Sequence, residues 1–147
     1  MLLQVRQIVI LLFLYALCAC QSKHSRQEIE NAMNEYDRLI QKMDTDSIAL
    51  LYTPDGQLGN IAQGRDSIRH FLATFNNVRV LGVASTSDSV TITGNESIQQ
   101  GSYRQTCIIQ EKDTVRVKGR YIANWLWNAG EGWRIKKMTT IPQTDSK

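Results

Sequence analysis

The most constraining feature of this chain is a change in hydrophobic period near residue 77. Up to that point apolar residues recur at three and four; after it they alternate. Ser25-Arg26-Gln27-Glu28 has the form of a capping box, in which the Ser25 hydroxyl accepts from the Glu28 amide and the Glu28 side chain reaches back. Behind it Ile29, Ala32, Met33, Tyr36, Leu39, Ile40 and Met43 form one apolar face, which predicts an amphipathic helix of about five turns. Asp44-Thr45-Asp46 offers a second cap. The pattern predicts a short helix over Ile48 to Tyr52, ended by Pro54 and Gly56. Gly64-Arg65-Asp66 opens a third, with Ile68, Phe71, Leu72 and Phe75 on its apolar face and Asn76-Asn77 closing it.

From Val78 the period is two, through Val78/Val80, Val90/Ile92, Tyr103 to Ile109, and Val115/Val117 up to Trp127. Gly94-Asn95, Glu111-Lys112-Asp113 and Ala129 to Gly132 are turns short enough to force antiparallel hairpins. Helices in the first half and a meander in the second predict an α+β domain, with helices covering one face of the sheet. At 147 residues there is room for one such domain.

The chain starts with a different kind of segment. Arg6 precedes the apolar run Ile8 to Leu17, and small residues follow at Ala19 and Cys20. This is the layout of a signal peptide. From Ile8 to Cys20 is 13 residues, about 20 Å of helix against a hydrocarbon core of about 30 Å, too short to span. Leu17-Cys18-Ala19-Cys20 resembles the lipobox of bacterial lipoproteins, which implies a signal peptide over residues 1–19, a diacylglyceryl thioether on Cys20 and a tether over residues 20–25. Acyl chains would hold the chain to a membrane without any further apolar segment. Gln21 stands where an Asp marks inner-membrane retention in some bacteria, so the expected address is the periplasmic side of the outer membrane. Residues 26–142 form the expected domain. The net charge of +3 falls to +2 once Arg6 is removed (16 basic against 14 acidic residues), which argues against nucleic acid as a partner.

Met43 to Asp55, Gly64 to Phe71, Gly119 to Trp125, and Gly132-Trp133-Arg134-Ile135, in that order and spacing, resemble the NTF2-like superfamily in its SnoaL-like (DUF4440) branch. The resemblance covers about residues 25 to 141. It implies a cone, with three N-terminal helices packed against a strongly curved, mostly antiparallel sheet and a pocket at the wide end. Members of this superfamily include isomerases, dehydratases, cyclases, transport factors and binding modules, so the fold leaves the function open.

In such a cone the candidate pocket residues are Tyr36 of the first helix, Asn60 beyond the second, and Tyr103, Gln105, Tyr121, Asn124, Trp125 and Trp127 of the late strands. They suit an apolar or amphiphilic ligand held by a few hydrogen bonds, although aromatics alternating along a strand also make an ordinary core. In isomerase-type members the pattern places the carboxylate base at Asn60, and an amide oxygen is too weakly basic for that role. Asp55, five residues earlier, sits in a Pro-Asp-Gly turn pattern that accounts for it without chemistry. Hence no catalytic residue is expected. His70 lies on the flank of the third helix, His24 falls in the tether, and Cys107 lacks a Cys or His partner, so neither a metal site nor a cofactor is expected.

Arg116, Lys118 and Arg120 alternate along one strand and Arg134 and Lys136 along the next. Whether they share a face depends on hairpin register; if so, they form a basic stripe that suits solvent or phosphorylated headgroups. Asp46-Ser47, Asp66-Ser67, Asp88-Ser89 and Asp113-Thr114, each followed by an aliphatic residue, resemble the acceptor motif of envelope O-glycosylation, but the first two also sit where helix caps belong. Dimerisation through the open sheet face is common among proteins this chain resembles, and the outward positions Ile122 and Leu126 fit a homodimer. Three functions remain open: a non-catalytic module binding a small ligand or a protein, an isomerase- or cyclase-type enzyme, and a structural homodimer with a filled cone.

Overall fold

The computed structural model describes residues 24–143; the expected signal peptide, Cys20 and most of the expected tether lie outside them. Three helices, α1 (Arg26–Lys42), α2 (Thr45–Leu50) and α3 (Arg65–Ala73), pack on one mixed six-stranded sheet. Its strands are β1 (Tyr52–Leu58), β2 (Ala62–Gln63), β3 (Val78–Thr93), β4 (Glu96–Ile109), β5 (Asp113–Asn128) and β6 (Gly132–Pro142), in the spatial order β2-β1-β6-β5-β4-β3. The last four form the expected meander, whereas β1 joins β6 in parallel. No helix among the described residues is long and apolar enough to cross a membrane.

α1 begins as its sequence predicts, with the Ser25 hydroxyl accepting from the Glu28 amide at 3.3 Å. The other half of the capping box does not form, because the Glu28 carboxylate turns to the His24 ring and the Trp133 indole. α2 starts earlier than expected. The Asp44 carboxylate caps it by accepting from the Ser47 amide, so it covers Thr45–Leu50 rather than Ile48 to Tyr52. Tyr52 instead opens β1, and Pro54 and Gly56 lie inside that strand instead of ending a helix. The strand accommodates the proline because its register with β6 shifts between Tyr52 and Gln57, leaving Pro54 where no ladder donor is required. α3 stops at Ala73, and Phe75 packs edge-on to Phe71 from the turn beyond.

Alternation divides β4 and β5 cleanly. Ser97, Gln99, Gly101, Tyr103, Gln105 and Cys107 face α1, and so do Tyr121, Ala123, Trp125 and Trp127. The core they build includes Ile29, Met33, Ile48, Ile68, Ile135 and Met138, all at most 3% exposed. Gly101 lies opposite Tyr121 and Gly119 opposite Tyr103. A Cβ on Gly101 would fall 2.8 Å from the Tyr121 ring and 2.0 Å from the Thr86 carbonyl oxygen, so each tyrosine ring covers the space its partner glycine leaves.

Candidate functional site

Four of the residues expected in the pocket do come together. Tyr36 from α1 meets Tyr103 and Gln105 from β4 and Tyr121 from β5 around a recess of about 80 Å³, closed by Met33, Val83 and Met138. The other four lie elsewhere. Trp125 is 1% exposed and part of the core. Trp127 packs against His24 and Trp133 at the far end of β5. Asn60 is exposed in the turn between β1 and β2 and lines a different concavity. Asn124 has the parity of Ile122 and Leu126, opposite to Trp125, and lines a groove on the outer face of the sheet. On a strand two adjacent residues cannot both face inward.

The recess also contains a residue that strand reasoning missed. Asp37, next to Tyr36 on α1, is only 8% exposed. Its carboxylate accepts from the Ser85 amide at 2.7 Å and from the Ser85 hydroxyl at 2.8 Å, both on β3. Burial pushes this carboxyl above the ordinary aspartate range, against the pull of the two Ser85 donors. A signal was present in the sequence: Asp37 follows Tyr36 on a helix whose apolar face includes Met33 and Ile40, so it borders that face rather than opposing it. Burial likewise raises the Tyr36, Tyr103 and Tyr121 hydroxyls, and Tyr52, behind Tyr36 at 6.4 Å between ring centroids, is raised furthest. The recess therefore offers neutral phenols and one carboxyl held by hydrogen bonds.

Below the recess a polar chain fixes its floor. The Trp125 indole donates to Gln99 Oε1 at 3.0 Å, and Gln99 Nε2 donates to Ser87 Oγ at 2.6 Å, which lies 3.5 Å from the Tyr121 hydroxyl. Cys107 is buried and takes a hydrogen bond from Gln105. His70 bonds through Nδ1 to the Asp66 carbonyl of its own helix. His24, assigned to the tether by sequence, is instead buried, with its ring 4.4 Å from Trp127 and 4.9 Å from Trp133.

The outer face has a groove of about 380 Å³ lined by Asp55, Gln57, Ile98, Asn124, Lys136 and Lys137. Ile98 and Ile141 are about half exposed on that face, beside Ile122 and Leu126. The register of β5 with β6 pairs Leu126 with Arg134 and Arg120 with Ile141, so Arg116, Lys118, Arg120 and Arg134 do share a face. Six steps of strand separate Arg120 from Leu126, so the stripe divides into two groups about 20 Å apart. Arg104, opposite Lys118, joins the first group, and Arg120 pairs with Asp88 at 2.7 Å.

Residues 21–139 match the sequence profile of the SnoaL-like domain, and the chain belongs to that family. Its fold is that of the wider NTF2-like superfamily. A ketosteroid isomerase-like protein from Erwinia carotovora atroseptica superposes with a TM-score of 0.72 at 16% identity, over 83% of this chain and 98% of that one. A nuclear transport factor 2-like superfamily protein from Salmonella enterica gives 0.67 at 19%, over 82% and 92%. A proposed scytalone dehydratase from Novosphingobium aromaticivorans gives 0.68 at 16%, over 80% and 83%. At these identities the likeness is one of fold alone. No curated protein sequence matches the chain.

Proposed function

We propose that this chain is a bacterial lipoprotein, processed after residue 19 and acylated on Cys20. Its SnoaL-like domain stands at the periplasmic face of the outer membrane and acts through association, without catalysing a reaction. The supporting observation is where the space lies. Enclosed sites for small molecules run to about 300–1,000 Å³, and with Trp125, Tyr121 and Met138 packed into the interior the recess retains about 80 Å³. The larger concavity, about 380 Å³, is on the outer face beside Ile98 and Leu126. The partner this face fits best is a second copy of the chain, with Ile98, Ile122, Leu126 and Ile141 as the apolar contacts and the Lys136–Glu96 pair beside Ile98. Sedimentation of a soluble form lacking residues 1–20 should give twice the chain mass at micromolar concentration. Leu126→Arg should reduce this to one chain mass with the circular dichroism of the folded chain unchanged; a monomeric parent rejects the dimer.

Asp37 favours a second reading. A buried carboxyl with raised proton affinity, among three tyrosines, is the kind of group that moves protons in isomerase- and cyclase-type enzymes. Incubation with cyclohexenone in deuterated buffer tests it. Exchange at the activated carbon that is lost in Asp37→Asn and retained in Asn60→Ala would establish an enzyme and set aside the non-catalytic reading.

A further inference from the structure

The end of the domain at which the tether enters determines which surface the membrane meets. His24 lies between the Trp127 and Trp133 rings, with Nδ1 3.0 Å from Glu28 Oε2, and the same carboxylate oxygen accepts from the Trp133 indole at 3.1 Å. Ser25 then caps α1. The chain is thus fixed to the domain from His24 onward. Only residues 21, 22 and 23 separate it from Cys20, and four Cα–Cα steps reach about 14 Å even when fully extended. The Trp127 backbone amide also donates to the Asn95 carbonyl at 2.7 Å, so the β3–β4 turn lies at this same end, together with the β5–β6 turn at residues 129–131.

On the reading that Cys20 is acylated, we infer that this end, formed by the start of α1 and the turns at 94–95 and 129–131, is held against the lipid bilayer that carries the chain's own acyl groups. Tether length and the docked His24 make the assignment; net charge does not enter it. The rest of the molecule follows. Asp37 is 12 residues beyond Ser25, about 18 Å further along α1, so the recess it borders is set back from this end. The β4–β5 turn is at the other end of the 16-residue β5, at most about 50 Å off by strand rise. Arg104, Arg116 and Lys118 lie toward that end, so the basic group faces the aqueous compartment rather than phosphorylated headgroups.

The test uses the full-length protein extracted from membranes and reconstituted into vesicles of phosphatidylethanolamine and phosphatidylglycerol doped with a headgroup acceptor dye. Donor dyes are placed on Ala129→Cys or Lys112→Cys; Cys107 is buried and stays in place. Transfer from position 129 should exceed that from position 112 several-fold. Inserting 12 Gly/Ser residues after Ser22 lengthens the leash without touching the domain and should bring the two close to equality. Equal transfer from an intact, acylated chain, or stronger transfer from position 112, overturns the orientation. An intact mass lacking acyl increments on Cys20 overturns the anchoring reading itself, and the orientation with it, so the two failures are told apart.

Discussion

Gln99 provides the sharpest test of how the interior is held. It is fully buried, accepts from the Trp125 indole at 3.0 Å and donates to Ser87 Oγ at 2.6 Å. Gln99→Met keeps the length of the side chain and removes both bonds. Trp125 is 1% exposed, so its N–H has no water to turn to, and an orphaned buried donor costs about 1–3 kcal/mol. Ser87 loses its donor but keeps the Tyr121 hydroxyl at 3.5 Å, a loss of about 1 kcal/mol or less. The expected cost is therefore about 3 kcal/mol, or about 10 °C in melting temperature for a domain of this size.

Trp125→Phe removes the donor instead. Once it is gone, losing the Gln99 acceptor matters less, so the double variant should be more stable than the sum of the single costs by about 1–2 kcal/mol. Urea unfolding of a form lacking residues 1–20, with the slopes checked for constancy, measures all four corners of the cycle. If Gln99→Met loses less than about 0.5 kcal/mol, or the two changes add within that margin, the indole–amide bond does not hold the core as argued.

Gly101→Ala drives a Cβ into the Thr86 carbonyl and the Tyr121 ring; overpacking of this kind costs about 1–3 kcal/mol or more, and an unchanged urea midpoint would show that β3 yields there. Asp37→Asn is nearly isosteric, since the amide can accept from the Ser85 N–H and donate to Ser85 Oγ. The folded chain holds the Asp37 proton more tightly than the unfolded chain, whose carboxyl titrates near 3.8. The unfolded state therefore releases its proton first as pH rises. Stability owed to Asp37 is present below that value and is lost as pH climbs through the raised native one. Asp37→Asn should be the more stable protein at pH 7, with an advantage that shrinks on acidification; parallel curves from pH 3.5 to 7 would contradict the burial argument.

The period switch placed the helical and sheet halves because amphipathicity is a local signal. The start of β1 at Tyr52 was hidden because Pro54 and Gly56 break helices and also occur at irregular strand positions, and only pairing with β6 chooses between these roles. Site legibility followed the same division. Tyr36, Tyr103 and Tyr121 are found by parity and helical phase, whereas Asn124 was misplaced because inward parity was assigned to neighbours. Asp37 was missed because its partner Ser85 is 48 residues away. His24 was read as tether for a similar reason: its two tryptophans lie more than 100 positions downstream, and nothing local announces an aromatic site for it.

If the cone is closed by its own side chains, removing one should reopen it. Tyr121 is the informative choice. Its ring is 3% exposed, covers Gly101 and borders the recess of about 80 Å³. Tyr121→Ala adds the volume of a phenol to that space, bringing it to or beyond the roughly 150 Å³ at which an apolar engineered cavity holds benzene. Loss of a large buried aromatic costs about 3–5 kcal/mol, so the variant should melt well below the parent yet fold when cold. Phenol should then raise its melting temperature and leave the parent's unchanged, because a ligand that binds only the folded state stabilises it by mass action. Asp37, beside the new space, supplies an acceptor for the phenol hydroxyl, so phenol should outperform benzene in Tyr121→Ala, and by less once Asp37→Asn is added. If neither ligand moves the melting temperature of a folded Tyr121→Ala, the sheet has collapsed onto α1, and the interior is held open by the tyrosine rings rather than by the strands.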